Sequence, residues 1–229
     1  MHRPCLQMNE IIEAVCNEDD MLYLKEYMLA AMQLYYDGIL QNPVKNGVWH
    51  QLCDLSTQAI LCYYKHMKRP DDFLDKLKQI QEQLIDHSPV MKSKQRHLTG
   101  DEYFVEKFVK AASSSDINLI IAVASGGFEP ALYLSALRDI EMDAVRYSSR
   151  RGDREVRFYG NVPDNVKGRR VLIVDDILAS GDTAYEVSEW VKLQKPEAAY
   201  FGIVKNLGNV PVGFRKINEN LYEIGLGSL

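Results

Sequence analysis

Cysteine is scarce. The four in 229 residues, Cys5, Cys16, Cys53 and Cys62, lie in the first third and form no C-x-x-C pair. They offer neither a zinc-ligand spacing nor a disulfide framework, and reduced thiols in a cytoplasmic setting fit best. Positive charge is also in short supply: 27 Lys and Arg stand against 32 Asp and Glu, with a formal net charge of −5 and a pI near 5.6. This argues against a protein whose whole surface binds nucleic acid, so any anion site has to be local. Long apolar runs are missing too. The most apolar window, MLYLKEYMLAAMQLYY, carries Lys25 and Glu26 in its middle, and MHRPCLQMNEIIEAV has acids where a secretory signal needs its apolar core. Neither a membrane partner nor export is expected. His50, His66, His87 and His97 have no paired spacing and read as surface or packing residues, and there is no internal repeat or low-complexity tract.

The chain has enough apolar content, 46%, for a substantial core, and its patterning changes near residue 115. Before that point apolar residues recur at spacings of three and four. Leu22, Leu24, Tyr27, Met28, Ala31, Leu34 and Tyr35 line one helix face, and Leu52, Leu55, Ala59 and Cys62 line another. The first helix is expected to end before Asn42-Pro43, and Asn46-Gly47 to turn the chain into the second. A third spans Asp72 to Asp86, and Thr99 to Glu102 has capping-box spacing for a fourth, from about Asp101 to Ala112. After Ser113-Ser114-Ser115, the apolar segments Ile117 to Ala124, Val171 to Val174 and Ala199 to Val204 have the length and continuity of strands buried on both faces. A helix from Glu129 to Arg138, a strand around Ala144 to Tyr147, an arginine-rich loop and a helix from Thr183 to Leu193 lie between them. We expect an all-α region over 1–98 and an α/β domain with a parallel sheet flanked by helices over 99–229.

The densest chemistry lies in VLIVDDILASGDT, Val171 to Thr183. The carboxyl end of a parallel strand is where ligands bind, and Asp175 and Asp176 stand there. Ala179, Ser180, Gly181, Asp182 and Thr183 turn the chain into a helix, so their amides and hydroxyls can converge on a phosphate. Two acids beside such a pocket suit a diol or a magnesium ion. A phosphorylated ribose combines all of these features. An apolar strand ending in Asp-Asp also serves as the acidic magnesium site of response-regulator receivers and nucleotide hydrolases. Receivers, however, put it on their first strand, and neither class needs the SGDT turn.

This stretch resembles the binding motif of the type I phosphoribosyltransferases, and the likeness runs from Ile117 to the end of the chain. It implies that Asp175 and Asp176 hold the ribose hydroxyls of 5-phosphoribosyl 1-pyrophosphate with magnesium, and that Ala179 to Thr183 hold its 5-phosphate. Ser125, Gly126 and Gly127, after the first strand, correspond to the pyrophosphate loop. The arginine-rich stretch, with Arg146, Arg150, Arg151, Arg154 and Arg157, carries charge suited to a leaving pyrophosphate, and the family's mobile lid falls on Ser148 to Arg157. Arg150 and Arg151 are the candidates within it.

By the same resemblance Lys205 is a base-contacting lysine, and Val212 to Phe214 with Leu221 to Gly227 form a hood. The hood departs from the hypoxanthine-guanine pattern. Gly227 replaces a magnesium-linked aspartate, Asn220 falls near the stacking aromatic with Tyr222 as its substitute, and Ala179 replaces an acid near the base. A 6-oxopurine acceptor is therefore disfavoured. The implied activity is transfer of ribose 5-phosphate to a nucleobase or similar nitrogen acceptor, with a non-catalytic sensor of the same ligand as the alternative. The resemblance also implies a homodimer; the apolar faces of the N-terminal helices, to which it does not extend, must be buried on the α/β domain or on a second subunit, and we expect residues 1 to about 98 to help form the dimer interface.

Overall fold

The computed structural model describes residues 13–15, 20–41, 47–84, 102–124, 126–148 and 153–226. The chain divides into two compact units, Met1–Leu98 and Thr99–Leu229. No helix among the described residues is long and apolar enough to cross a membrane.

The first unit contains helices α1 (Met21–Gln41), α2 (Val48–Lys65) and α3 (Phe73–Leu84). Asp20 starts α1 by accepting the Leu22 N–H on its side chain, which satisfies one of the donors a helix start leaves open. Gly47, at φ 70°, turns the chain into α2 in the left-handed conformation that suits glycine. The rings of Tyr36 and Trp49 meet at a tilt of 44° with centroids 4.8 Å apart and join α1 to α2. The expected face of α1 is buried at Leu24, Met28, Ala31, Leu34 and Tyr35, but so are Met32, Tyr36, Lys25 and Glu26, so burial is not confined to one stripe. Pro43 and Thr99 lie outside the described residues.

The second unit begins with α4 (Glu102–Ala112), followed by β1 (Leu119–Ala124), α5 (Phe128–Arg138), β2 (Met142–Ser148), β3 (Asp153–Phe158) and α6 (Val162–Val166). Then come β4 (Arg170–Leu178), α7 (Asp182–Leu193), β5 (Ala198–Asn206), β6 (Phe214–Lys216) and β7 (Leu221–Ile224). Its seven-stranded sheet has the order β3-β2-β1-β4-β5-β7-β6. The four central strands β2-β1-β4-β5 are parallel, while β3, β7 and β6 add antiparallel edges. The expected α/β fold is thus a mixed sheet with a parallel centre, flanked by helices.

The continuous apolar runs follow from cover on both faces. Leu119, Ile121, Val123, Val171, Ile173, Phe201 and Ile203 share one core with Ala184, Val187 and Val191 of α7. On β5, a Cβ added at Gly202 would stand 2.6 Å from the Phe108 ring, so α4 lies directly on that strand. Each large aliphatic side chain buried in this way contributes ~1.5–3 kcal/mol.

The arginine-rich stretch differs from the expected loop. Asp153 to Arg157 belong to β3, which pairs with β2 through Ser148↔Asp153, Arg146↔Arg157 and Val145↔Phe158. Val156 and Phe158 pack on the core while Glu155 and Arg157 alternate with them, a strand period that the arginines mask in the sequence. The hood segments likewise extend the sheet as β6 and β7.

Candidate functional site

The acid pair stands inside β4, where its two neighbours part company. Pairing with β1 stops at Ala122↔Val174, whereas pairing with β5 continues to Leu178↔Asn206. The sequence places Asp175 and Asp176 past the end of a strand that stops at Val174; in the structure the strand continues to Leu178 because β5 still supplies a partner. Beyond Ala124, β1 gives way to the glycine turn. Asp176 is only 9% exposed, and its carboxylate fills the place a side chain at Gly126 would take, with Oδ1 2.1 Å from an added Cβ. At Gly127 an added Cβ would meet the Val174 carbonyl oxygen, also at 2.1 Å. Gly127 has φ −72°, so its turn requires glycine for close approach to β4 and not for an unusual torsion. Ser125 lies outside the described residues.

The carboxylates are oriented by their own backbone. Asp175 Oδ1 accepts the Asp176 N–H at 2.9 Å, and Asp176 Oδ1 accepts the Ile177 N–H at 2.8 Å. Ala179 and Ser180 follow, both exposed, and Gly181 at φ 87° opens α7. This left-handed glycine lets the chain reverse into a helix whose first N–H groups have no intrahelical partner. The Ser180 hydroxyl donates to Asp182 Oδ2 at 3.0 Å and accepts the Asp182 N–H at 3.4 Å. Thr183, half-buried, stands in the first turn of α7.

Arg146, one of five arginines in its stretch, donates to the Ala124 carbonyl at 2.8 Å and so brings a cation to the glycine turn. Arg150 and Arg151 lie outside the described residues. Lys205, near the end of β5, holds its ammonium 4.7 Å from the centre of the Phe104 ring on α4. Phe104 was not singled out from sequence, where its one signal is a place four residues before the buried Phe108. Tyr222 is 3% exposed, with its ring in the core and its hydroxyl bonded to Asn206. Its ring is therefore enclosed, which is the wrong setting for a platform that stacks on a ligand. Asn220 is also buried, donating to the Ile203 and Val204 carbonyls. Gly227 lies outside the described residues.

Among the described residues no group of three or more His, Cys, Asp and Glu side chains is arranged to hold a metal ion. Two adjacent carboxylates still fit magnesium, which commonly takes one or two protein carboxylates and completes its shell with water and substrate phosphates.

Residues 92–205 match the phosphoribosyl transferase domain. The chain is 26% identical over 130 residues to the adenine phosphoribosyltransferase of Pseudothermotoga lettingae, covering 50% of this chain and 71% of that protein. A solved purine phosphoribosyltransferase from Pyrococcus horikoshii is 20% identical with a TM-score of 0.41, covering 55% of this chain and 97% of its own. The adenine phosphoribosyltransferase from Saccharomyces cerevisiae is 19% identical with a TM-score of 0.37, covering 49% and 71%. Helices α1 to α3 fall outside the matched residues.

Proposed function

We propose, from the match of residues 92–205 to the phosphoribosyl transferase domain, that the protein is a magnesium-dependent phosphoribosyltransferase acting from 5-phosphoribosyl 1-pyrophosphate. The observation that carries this reading is the seat of Asp176: a carboxylate pressed against the Gly126 turn on one side, on a strand that leads into the Gly181 loop on the other. A diol-binding acid pair then lies between two anion-binding turns.

In this reading the Asp175 and Asp176 carboxylates accept the two ribose hydroxyls, and the amides of Ala179 to Thr183 with the Thr183 hydroxyl hold the 5-phosphate. The amides of Ser125 to Gly127, together with Arg146, Arg150 and Arg151, take the pyrophosphate. Magnesium, held by Asp175 and Asp176 and by substrate oxygens, would neutralise charge on the leaving group. The C1–oxygen bond breaks with its electron pair going to pyrophosphate, and the acceptor nitrogen's lone pair forms the new bond to C1. The protein's contribution is position and electrostatics: donors aimed at the growing negative charge and carboxylates beside the growing positive charge on the ring. Ala179 offers the acceptor no carboxylate, and the curated relative's name makes adenine the first acceptor to test.

Isothermal titration with magnesium and phosphoribosyl pyrophosphate tests the reading. Wild type binds, and Asp175→Asn combined with Asp176→Asn lowers affinity at least about tenfold, as expected for lost charge-assisted hydrogen bonds. A wild type that does not bind overturns it. The enclosed Tyr222 and Asn220 favour a second reading, a sensor that binds the ligand without turnover. Pyrophosphate release across a panel of purine, pyrimidine and nicotinate-like bases separates the two. A homodimer formed with the help of residues 1 to about 98 in a cytoplasmic setting completes the proposal. Light scattering on the full chain and on residues 99–229 tests the dimer, which the shorter chain loses.

A further inference from the structure

We infer that Tyr222, Asn206 and Gly208 are positioning residues for the 5-phosphate loop, an inference that rests on the reading of Ala179 to Thr183 given above. The loop has few internal restraints, since Ala179 and Ser180 are exposed and its described side-chain bonds are those between Ser180 and Asp182. What shapes it is the segment that follows β5. The Leu207 N–H donates to the Leu178 carbonyl at 2.9 Å, immediately before the loop. Gly208 then lies on Ala179 so closely that an added Cβ would fall 1.5 Å from the Ala179 oxygen. On the far side, a Cβ at Gly181 would stand 3.0 Å from the Asn209 oxygen and 3.4 Å from the Pro211 ring. Residues 207–211 therefore form a wall against which the loop is moulded.

The wall is fastened to the core by the packing of Val210 and by the hydrogen bonds of one side chain, Asn206. Asn206 accepts the Gly208 N–H on Oδ1 at 3.1 Å and donates from Nδ2 to the Tyr222 hydroxyl at 3.2 Å. Tyr222 is buried in β7, so its hydroxyl is a fixed point, and both ends of the Asn206 amide are committed. Amides hold a phosphate well only when they are aimed before it arrives. The chain of contacts Tyr222, Asn206, Gly208, Ala179 supplies that aim from β7, which pairs with β5 and β6 and not with the strand that carries the loop. It also gives the enclosed Tyr222 a role other than the base contact that the sequence resemblance implies.

The test uses the full chain as wild type, Tyr222→Phe, Asn206→Ala and the double variant, titrated separately with ribose 5-phosphate and with magnesium pyrophosphate. Tyr222→Phe keeps the buried ring and removes only the hydroxyl. Each single variant is expected to lose about fivefold in ribose 5-phosphate affinity, the size of one hydrogen bond, with pyrophosphate affinity unchanged. The double variant is expected to match Asn206→Ala, since both remove the same link. Equal losses for the two ligands, with or without a lowered melting temperature, mark a general structural role and overturn the inference, as do unchanged ribose 5-phosphate binding and additive losses. A wild type that binds neither ligand is a different failure: it refutes the phosphoribosyl reading itself and takes this inference with it.

Discussion

The two units each hold a pair of adjacent charged residues, one near the end of a strand and the other within a helix. In the α/β unit the interior of β1 is wholly apolar, and the Asp175-Asp176 pair comes only after Val174, where β1 leaves β4. In the helical unit Lys25 and Glu26 are themselves interior, 3.4 Å apart, with the Lys25 ammonium 4.5 Å from the Tyr63 ring and 5.5 Å from that of Tyr64. A strand covered on both faces has nowhere to hide a charge except at its ends, so a carboxylate there points to a ligand. A long helix can sheath a lysine stem in aromatic rings and pair its head, so a buried charge there points first to packing.

Four experiments break or sharpen this contrast, the largest expected effect first. Gly127→Ala sets a Cβ 2.1 Å from the Val174 oxygen and 2.8 Å from the Val123 nitrogen, both backbone atoms that no rotamer change can move. We expect the α/β unit to lose about 3 kcal/mol or more, read by urea unfolding, together with phosphoribosyl pyrophosphate binding. Lys25→Met removes the ammonium 3.4 Å from the buried Glu26 carboxylate and is expected to cost the helical unit about 3 kcal/mol, whereas adding Glu26→Leu restores much of it. Calorimetry measures both, and a ligand affinity that falls with Lys25→Met contradicts the division of labour between the units.

Gly126→Ala is the counterpart of Gly127→Ala, because here the added Cβ meets the far end of the Asp176 side chain, which can swing away. Affinity for phosphoribosyl pyrophosphate is expected to fall about tenfold while the melting temperature barely moves, since the displaced group is a ligand contact and not backbone. A loss of stability like that of Gly127→Ala would show that both glycines serve the fold alone. The smallest effect belongs to Glu219. Its carboxyl is held below the usual range by a hydrogen bond from Lys107 and by that lysine's charge, and Lys107 is raised in turn; both side chains are solvent-exposed. Because the folded carboxyl titrates lower than the unfolded one, the pair's contribution is present above the unfolded pKa and is lost as pH falls through the folded one. Glu219→Gln is therefore expected to flatten the acid limb of a melting-temperature profile slightly at low salt and to do nothing measurable at neutral pH in physiological salt.

Much of the α/β unit was legible before any coordinates. Ile117 to Ala124 and Ala199 to Val204 read as strands because the length and continuity of a short apolar run are local properties, and Gly181 read as the turn because a left-handed residue before a helix favours glycine whatever surrounds it. The chemistry of VLIVDDILASGDT was legible for the same reason: acids, turn and helix start are contiguous in the chain. The tertiary structure alone decided how far β4 runs, since Ile177 and Leu178 remain in a strand only because Lys205 and Asn206 lie beside them. It also decided that Asp153 to Arg157 pair with β2, that Lys25 and Glu26 turn inward, and that Tyr222 buries its ring and offers its hydroxyl to Asn206. Each of these depends on a partner distant in sequence. Residue spacing encodes what one segment prefers; which segment it meets, and so which of its polar groups is satisfied, aimed or enclosed, is decided when the layers pack.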